Sequence, residues 1–213
     1  MQQGVLMFTL PDINRRLLWQ LVLFHTCVIA ISNYLVTFPV KFWGIHVTWA
    51  AFTFPLVVVA TDLTVRLISK NPARAVVALA FIPAAIASVA VVYATGAPSS
   101  VAWRIGIASG TAYLVSNLMD VFVFQKIRER WQMWFWAPGV SAVFANVVDT
   151  FTFFFVAFYQ SANVFMAENW YKVAMGQTGA KILISLIVIL PVYCLLLAGL
   201  QRWLNRSLLR NTQ

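Results

Sequence analysis

The stretch that decides the fold is AVVALAFIPAAIASVAVVYA, residues 75–94, in which twenty consecutive positions carry no charge. As an α-helix, twenty residues extend about 30 Å, which matches the hydrocarbon core of a bilayer. Over the whole chain of 213 residues, 62% are hydrophobic and 10% are charged. Soluble domains have about 45–50% apolar and about 25% charged residues, so this composition excludes an ordinary soluble domain.

Other stretches of the chain are also long enough and apolar enough to cross a bilayer. The sequence places predicted spans near residues 17–37, 47–68, 74–95, 101–124, 137–159 and 177–200. The connections between them are short. The sequence therefore predicts an all-α integral membrane protein, a bundle of six transmembrane helices that forms one domain over residues 1–213 with short tails.

The basic residues are distributed unevenly between the two ends of the predicted bundle. Eleven of the fifteen Lys and Arg residues fall in the tails and in the loops after the second and fourth spans, whereas Lys41 and Lys172 fall at the opposite end. Short loops rich in Lys and Arg stay in the cytoplasm, so both termini are predicted to be cytoplasmic. Topology thus accounts for the formal net charge of +9, and we expect no nucleic-acid partner.

Polar residues inside the predicted spans are the candidate functional residues. An ionisable group in the middle of a bilayer costs at least about 2.5–3.5 kcal/mol, so it faces the bundle interior, pairs with another group or lines an aqueous path. Buried ion pairs that fix helix register are the alternative to a solute path. The ionisable side chains in the spans, with the amides beside them, are Asp62, Arg104, Asp120, Asp149, Lys181, Asn33, Asn117 and Asn146.

Two of these aspartates belong to the same local pattern. Asn117 precedes Asp120 by three residues, and Asn146 precedes Asp149 by three residues. In a helix this spacing puts an amide and a carboxylate on one face. From their depths in the spans, we expect an outer-to-middle cluster and an inner cluster that together form a polar track. The first consists of Arg104, Asp149 and Lys181, and the second of Asp62 and Asp120.

A carboxylate beside an amide with aromatic walls suits a planar heterocycle that has adjacent N–H donors. The carboxylate accepts two parallel hydrogen bonds, and the amide serves a ring carbonyl. Trp49 and the phenylalanines at 151 and 153–155 are candidates for stacking, although aromatic residues in spans more often face lipid or the core. Glu168 lies in the predicted loop before the last span, in a stretch that either caps the site or is a solvated loop. From the residues alone, the protein is a transporter of a small polar solute.

Several short strings resemble the queuosine precursor transporters, a branch of the vitamin uptake transporters, and the resemblance runs from about residue 17 to 200. The most specific is Ala60-Thr61-Asp62-Leu63-Thr64-Val65-Arg66. The others are Ser32-Asn33-Tyr34-Leu35, His46-Val47-Thr48-Trp49, Phe54-Pro55, Asn146 with Asp149-Thr150, and Phe165-Met166-Ala167-Glu168. One departure is Ser116-Asn117, where that family often has Gly-Gln.

The resemblance implies a six-helix carrier of the bacterial inner membrane. It would import 7-deazaguanine precursors of the tRNA base queuosine, namely 7-cyano-7-deazaguanine and its aminomethyl relative. It also implies that the family's polar positions correspond here to Asn33, Asp62, Arg104, Asp120, Asn146, Asp149, Glu168 and Lys181. Apart from Asp62, these residues form the predicted substrate site together with Asn117 and Trp49, and Asp62 and Asp120 are the candidates for proton coupling.

Other functions remain open at this point. The chain could be the substrate-binding membrane subunit of an ATP-driven uptake system, or a carrier for another small heterocyclic solute. No catalytic motif of an intramembrane enzyme and no metal-ligand spacing occurs in the sequence, so we expect no enzyme activity, metal or cofactor. The expected partners are the lipid bilayer and the solute. The small-residue stripe at Ala102, Gly106 and Gly110 is expected to pack against another helix of the same chain, with a contact between two copies as the alternative.

Overall fold

The computed structural model describes residues 14–35, 38–42, 45–53, 55–130 and 136–210. Its elements in chain order are α1 (Arg15–Leu35), β1 (Pro39–Phe42), β2 (Ile45–Thr48), α2 (Ala50–Thr53), α3 (Pro55–Leu67), α4 (Lys70–Ala94), α5 (Ser99–Arg130), α6 (Trp136–Phe158), α7 (Val164–Ile184), the π-helical segment π1 (Ser185–Ile189) and α8 (Leu190–Arg210). The two tails, residues 1–13 and 211–213, lie outside the described residues.

Helices of membrane-crossing length make up most of the described chain. Five are long and apolar enough to cross a bilayer: α1, α4, α5, α6 and a helix that runs from Val164 to Gly199. The helices α1, α4 and α6 begin and end within a few residues of the predicted spans. The helix α5 begins where predicted but continues through the charged sequence up to Arg130. The predicted class, an all-α integral membrane protein, is confirmed.

The second predicted span, 47–68, is helical over most of its described length. Its first two residues belong instead to β2, which pairs antiparallel with β1. The helix α2 covers Ala50–Thr53 and α3 covers Pro55–Leu67, 13 residues or about 20 Å. Phe54, which precedes Pro55, lies outside the described residues.

The last predicted span begins too late in the chain. The stretch 166–171, expected to be a loop, belongs to α7, and Glu168 is an exposed residue on that helix. The Asn163 side chain caps α7 by accepting a hydrogen bond from the Met166 N–H at 3.1 Å. The helix then passes through the π-helical turn π1 and continues as α8. A π-helical turn inside an α-helix is often found at a functional site.

The helices α4 and α5 pack closely along the small-residue stripe. A Cβ atom on Gly106 would overlap the Val89 side chain, and one on Gly110 would lie 2.8 Å from Ala85 Cβ. This face of α5 is therefore already covered by α4 of the same chain. The expected packing of this stripe within the chain is confirmed, and the alternative, a contact between two copies through the same face, does not hold because α4 occupies it.

Candidate functional site

Two of the cavities between the helices each contain one of the predicted intramembrane aspartates. The larger, which we call the Asp149 pocket, has a volume of about 120 Å³. By the same measure one water molecule needs roughly 10–15 Å³, so this pocket has room for a small solute. Its lining residues come from α1, α2, α5, α6 and α7: Ser32, Asn33, Ala50, Ser109, Ala112, Asp149, Phe153, Phe154, Gln177 and Lys181.

The Asp149 pocket contains an ion pair between α6 and α7. Lys181 Nζ lies 2.9 Å from Asp149 Oδ2, and the two side chains are 17% and 7% exposed. Helical spacing also puts Phe153, one turn after Asp149, on the same face of α6. On α7, Gln177 precedes Lys181 by one turn, which brings a second polar group to the pocket. The site therefore combines a neutralised carboxylate, an amide and aromatic side chains.

Hydroxyl and amide groups form the opposite wall of this pocket. Asn33 Nδ2 donates to Ser88 Oγ at 2.6 Å and to Ser109 Oγ at 3.2 Å, while also lying 3.0 Å from the Ile29 carbonyl. Ser32 Oγ and Thr53 Oγ1 are 2.7 Å apart. These contacts hold Asn33 between α1, α4 and α5 and leave the wall rich in groups that both donate and accept hydrogen bonds.

The smaller cavity, which we call the Asp62 cavity, lies between α3, α6, π1 and α8. Its volume is about 20 Å³. The polar residues that line it are Asp62, Asn146, Ser185 and Tyr193. Asn146 Nδ2 donates to Ser185 Oγ at 2.9 Å and to the Ala142 carbonyl at 2.8 Å. Asn146 therefore joins α6 to the π-helical segment next to this cavity.

A second acid lies behind the Asp62 cavity. Asp62 is 2% exposed and Asp120 is fully buried. The Asp62 carboxyl group faces Asp120, the Ser141 hydroxyl and the Arg66 side chain. Among the described residues, neither oxygen of Asp120 has a hydrogen-bond donor. We call Asp62 and Asp120 the carboxyl pair. The structure brings these two predicted proton carriers together.

Six predicted substrate ligands do not line the Asp149 pocket, namely Asn146, Asp120, Arg104, Asn117, Trp49 and Glu168. Arg104 donates to the backbone carbonyls of Val156 and Tyr159 at the end of α6, where a cation interacts favourably with the exposed carbonyl groups. The expected cluster of Arg104 with Asp149 and Lys181 is therefore wrong. Asn117, on α5, is buried and donates to the Tyr113 carbonyl at 2.9 Å. Trp49 and Glu168 are both exposed.

Sequence reasoning missed several groups that line the two cavities. One of them is Gln177, which could have been found because it precedes Lys181 by one helical turn. Ser109 is a common small residue in membrane helices and gave no signal. Ser32 lies in a string that resembles the family, but only its neighbour Asn33 was predicted as a ligand. Ser185 lies in the π-helical turn and Tyr193 lies just after it. No sequence pattern predicted this turn. Their orientation depends on how that turn rotates the helix.

Membrane-crossing helices that enclose a polar cavity with a buried ion pair are typical of membrane proteins that move a polar solute. A family model described as "Putative vitamin uptake transporter" matches residues 48–196. The chain belongs to the vitamin uptake transporter family and is a multi-pass protein of the bacterial inner membrane. It is a transporter and not an enzyme.

Two relatives share most of the chain. One, from Escherichia coli strain K12, is named "Queuosine precursor transporter"; it is 40% identical over 194 residues, which cover 86% of this chain and 87% of the relative. The other, from Haemophilus influenzae, is named "Probable queuosine precursor transporter". It is 36% identical over an alignment of 215 positions, which covers 90% of this chain and 91% of the relative. No solved structure matches the chain.

Proposed function

We propose that this protein imports queuosine precursors, 7-cyano-7-deazaguanine and its aminomethyl relative, and binds them in the Asp149 pocket. The observation that carries the proposal is the Lys181–Asp149 pair in a cavity of solute size inside apolar helices. The names of the two relatives support the substrate class. The precursor then crosses the membrane past this pocket as a carrier substrate.

The chemistry of the pocket suits the edges and faces of a deazaguanine ring. Its ring N–H and exocyclic NH₂ are adjacent donors, which a carboxylate such as Asp149 receives as two parallel hydrogen bonds. The ring carbonyl takes a donor from Asn33, Gln177 or Lys181. Phe153 and Phe154, whose ring centroids are 5.5 Å apart, supply apolar walls for the ring faces.

The charge balance of the pocket favours the neutral precursor. Asp149 is already paired with Lys181 at 2.9 Å, so the pair contributes no net charge. The cyano compound is neutral and adds none. The aminomethyl compound is a cation, and a cation enters a low-dielectric site unfavourably beside an ammonium group. We therefore propose that 7-cyano-7-deazaguanine is preferred.

We also propose that the carboxyl pair couples uptake to protons. Two buried carboxyl groups that face each other do not readily both ionise, so a shared proton is the favoured state. Arg66 is the basic group that faces Asp62. Loading and release of one proton at this pair, away from the Asp149 pocket, would let a proton gradient drive the precursor inward.

The direct test uses cells that cannot synthesise queuosine precursors. We expect Asp149→Ala to abolish the formation of queuosine in tRNA from external precursor, because the two parallel hydrogen bonds are lost. Ala198→Val, an exposed change on α8, is the control and should support normal formation. Near-normal rescue by Asp149→Ala at normal expression would remove Asp149 from the site.

Reconstitution in liposomes separates a carrier from a dependent subunit of an ATP-driven system. The sequence has no G-x-x-x-x-G-K-[ST] phosphate-binding motif, so any ATP would have to be used by another protein. We expect the purified chain alone to accumulate labelled precursor, and to do so faster when the liposome interior is alkaline. Binding of precursor without uptake would instead identify a subunit that needs an ATP-hydrolysing partner.

A further inference from the structure

We propose that the Asp62 cavity binds one water molecule, which bridges Asp62, Asn146 and Tyr193. The cavity has about 20 Å³, close to the roughly 10–15 Å³ that a single water requires. It is too small for the precursor, and its polar residues are separate from those that line the Asp149 pocket. The site is therefore a second, smaller binding site beside the one proposed for the solute.

The polar groups that line the cavity match the hydrogen bonds of one water molecule. Asp62, Asn146 and Tyr193 are 2%, 1% and 1% exposed. Among the described residues, Asp62 Oδ1, Asn146 Oδ1 and the Tyr193 hydroxyl have no hydrogen-bond partner. A buried water typically makes about three hydrogen bonds. With Asp62 ionised, water donates to Asp62 and Asn146 and accepts from Tyr193.

The same water also serves the protonated form of Asp62. A water oxygen has two acceptor sites, so it accepts from both the Asp62 carboxyl O–H and the Tyr193 O–H and donates to Asn146 Oδ1. Three hydrogen bonds are made in either state, and only the bond to Asp62 reverses its direction. Because an unpaired buried polar group is costly, this reversal keeps both protonation states accessible without repacking the helices.

All charged and titratable groups that face Asp62 are consistent with this role. Asp120 from α5 and Arg66 from α3 itself face its carboxyl group, as does the Ser141 hydroxyl from α6. From α8, Tyr193 interacts with Asp62 and with Arg66, and also with Arg128 of α5. A sodium ion fits less well, because a cation of that kind takes about six oxygen ligands and four polar side chains line this cavity.

The bound water also connects the carboxyl pair to the helix that carries the solute site. It lies between Asp62 on α3 and Asn146 on α6, and Asn146 is one turn before Asp149. Asn146 in turn holds Ser185 at the π-helical turn. We infer that a change of protonation at Asp62 reaches α6 and π1 through this water. The coupling part of this inference rests on the proposed function, whereas the water site does not.

Ala142→Val is the test, because Ala142 lines the Asp62 cavity and the added methyl groups displace the water. In liposomes, we expect the stimulation of uptake by a proton gradient to fall about tenfold. The affinity for labelled precursor should stay within about twofold of wild type, because Ala142 does not line the Asp149 pocket. The matched control is Ala198→Val, the same enlargement at an exposed position of α8; it should change neither quantity.

Infrared difference spectroscopy between two pH values gives a readout that does not need transport. The carboxyl C=O band that disappears in Asp62→Asn belongs to Asp62. We expect this band to move in Ala142→Val and in Tyr193→Phe, and not in Ala198→Val. Two results in Ala142→Val would each overturn the proposal about the water: an unchanged infrared band, or full stimulation of uptake by a proton gradient. The proposal would also be overturned if Ala142→Val lost precursor binding, or if sodium ions instead of protons stimulated uptake. Failure of the wild type to bind precursor would overturn the proposed function and leave the infrared test intact.

Discussion

The helices α5 and α6 each carry an asparagine and, three residues later, an aspartate, yet the two aspartates have opposite surroundings. Asp149 on α6 is paired with Lys181 and lines a cavity of about 120 Å³. Asp120 on α5 is fully buried, and Asp62 is the ionisable group that it faces. The same local pattern thus produces a neutral pair with space for a solute and an acidic pair without it. The residues contributed by neighbouring helices decide which one forms.

This contrast gives each aspartate a different expected role. A carboxylate whose charge is balanced can stay ionised in the membrane and use its oxygens to bind a ligand. Asp62 and Asp120 instead face each other, with Arg66 beside Asp62, and of two buried carboxyl groups in contact one retains a proton more readily. Neutralising one residue at each site should therefore break different steps of transport, and the variants below are ordered from the largest expected effect to the smallest.

The largest effect is expected from Lys181→Met, which leaves Asp149 as an unpaired buried charge. Removing one partner of a buried ion pair typically costs about 3–5 kcal/mol. We expect a lower unfolding temperature in detergent and no uptake. The double variant Asp149→Asn with Lys181→Met is the matched control, because it removes both charges.

The double variant should recover most of the unfolding temperature and still fail to bind precursor. That result would separate the structural contribution of the pair from its contribution to the site. If Lys181→Met alone unfolds at the wild-type temperature and transports normally, the ion pair does not support the pocket, and the contrast with the carboxyl pair loses its basis.

A smaller and more selective effect is expected from Asp120→Asn. This change removes a titratable group from the carboxyl pair and preserves its size, and Asp120 does not line the Asp149 pocket. We expect the acceleration of uptake by a proton gradient to be lost, while exchange of internal for external precursor continues at a rate within about threefold of wild type. Both are measured in liposomes.

Asp149→Asn is the counterpart at the other site and should abolish exchange as well as net uptake. Equal responses of the two variants would mean that the two aspartates serve one step. Full gradient dependence in Asp120→Asn would remove the carboxyl pair from coupling.

The sequence predicted most of the helices and the approach of Asp149 to Lys181, because both follow from hydropathy and from the cost of a charge in lipid. The hairpin of β1 and β2 was not predicted, since a window of apolar residues does not distinguish the end of a strand from the start of a helix. Arg104 was misplaced for a different reason. Its contacts are backbone carbonyls at the end of α6, and every helix end offers such groups, so no residue type indicates them.

The smallest effects are expected at Trp49 and Glu168, which the sequence assigned to the substrate site. Trp49 is 49% exposed and its ring lies against Phe52, with 5.6 Å between ring centroids. Glu168 is exposed on α7. Neither residue lines the Asp149 pocket. We expect Trp49→Ala and Glu168→Gln to change the affinity for precursor by less than about twofold, because exposed substitutions away from a site usually alter free energies by no more than about 0.5 kcal/mol.

Titration of the purified variants with labelled precursor measures this directly, and Phe154→Ala, a change within the pocket lining, is the matched comparison that should weaken binding more. A loss of about tenfold or more at Trp49 would show that the ligand reaches beyond the pocket toward α2. The solute site would then extend from the Asp149 pocket to the indole of Trp49, which follows the strand hairpin. The contrast between the Asp149 pocket and the carboxyl pair would not change.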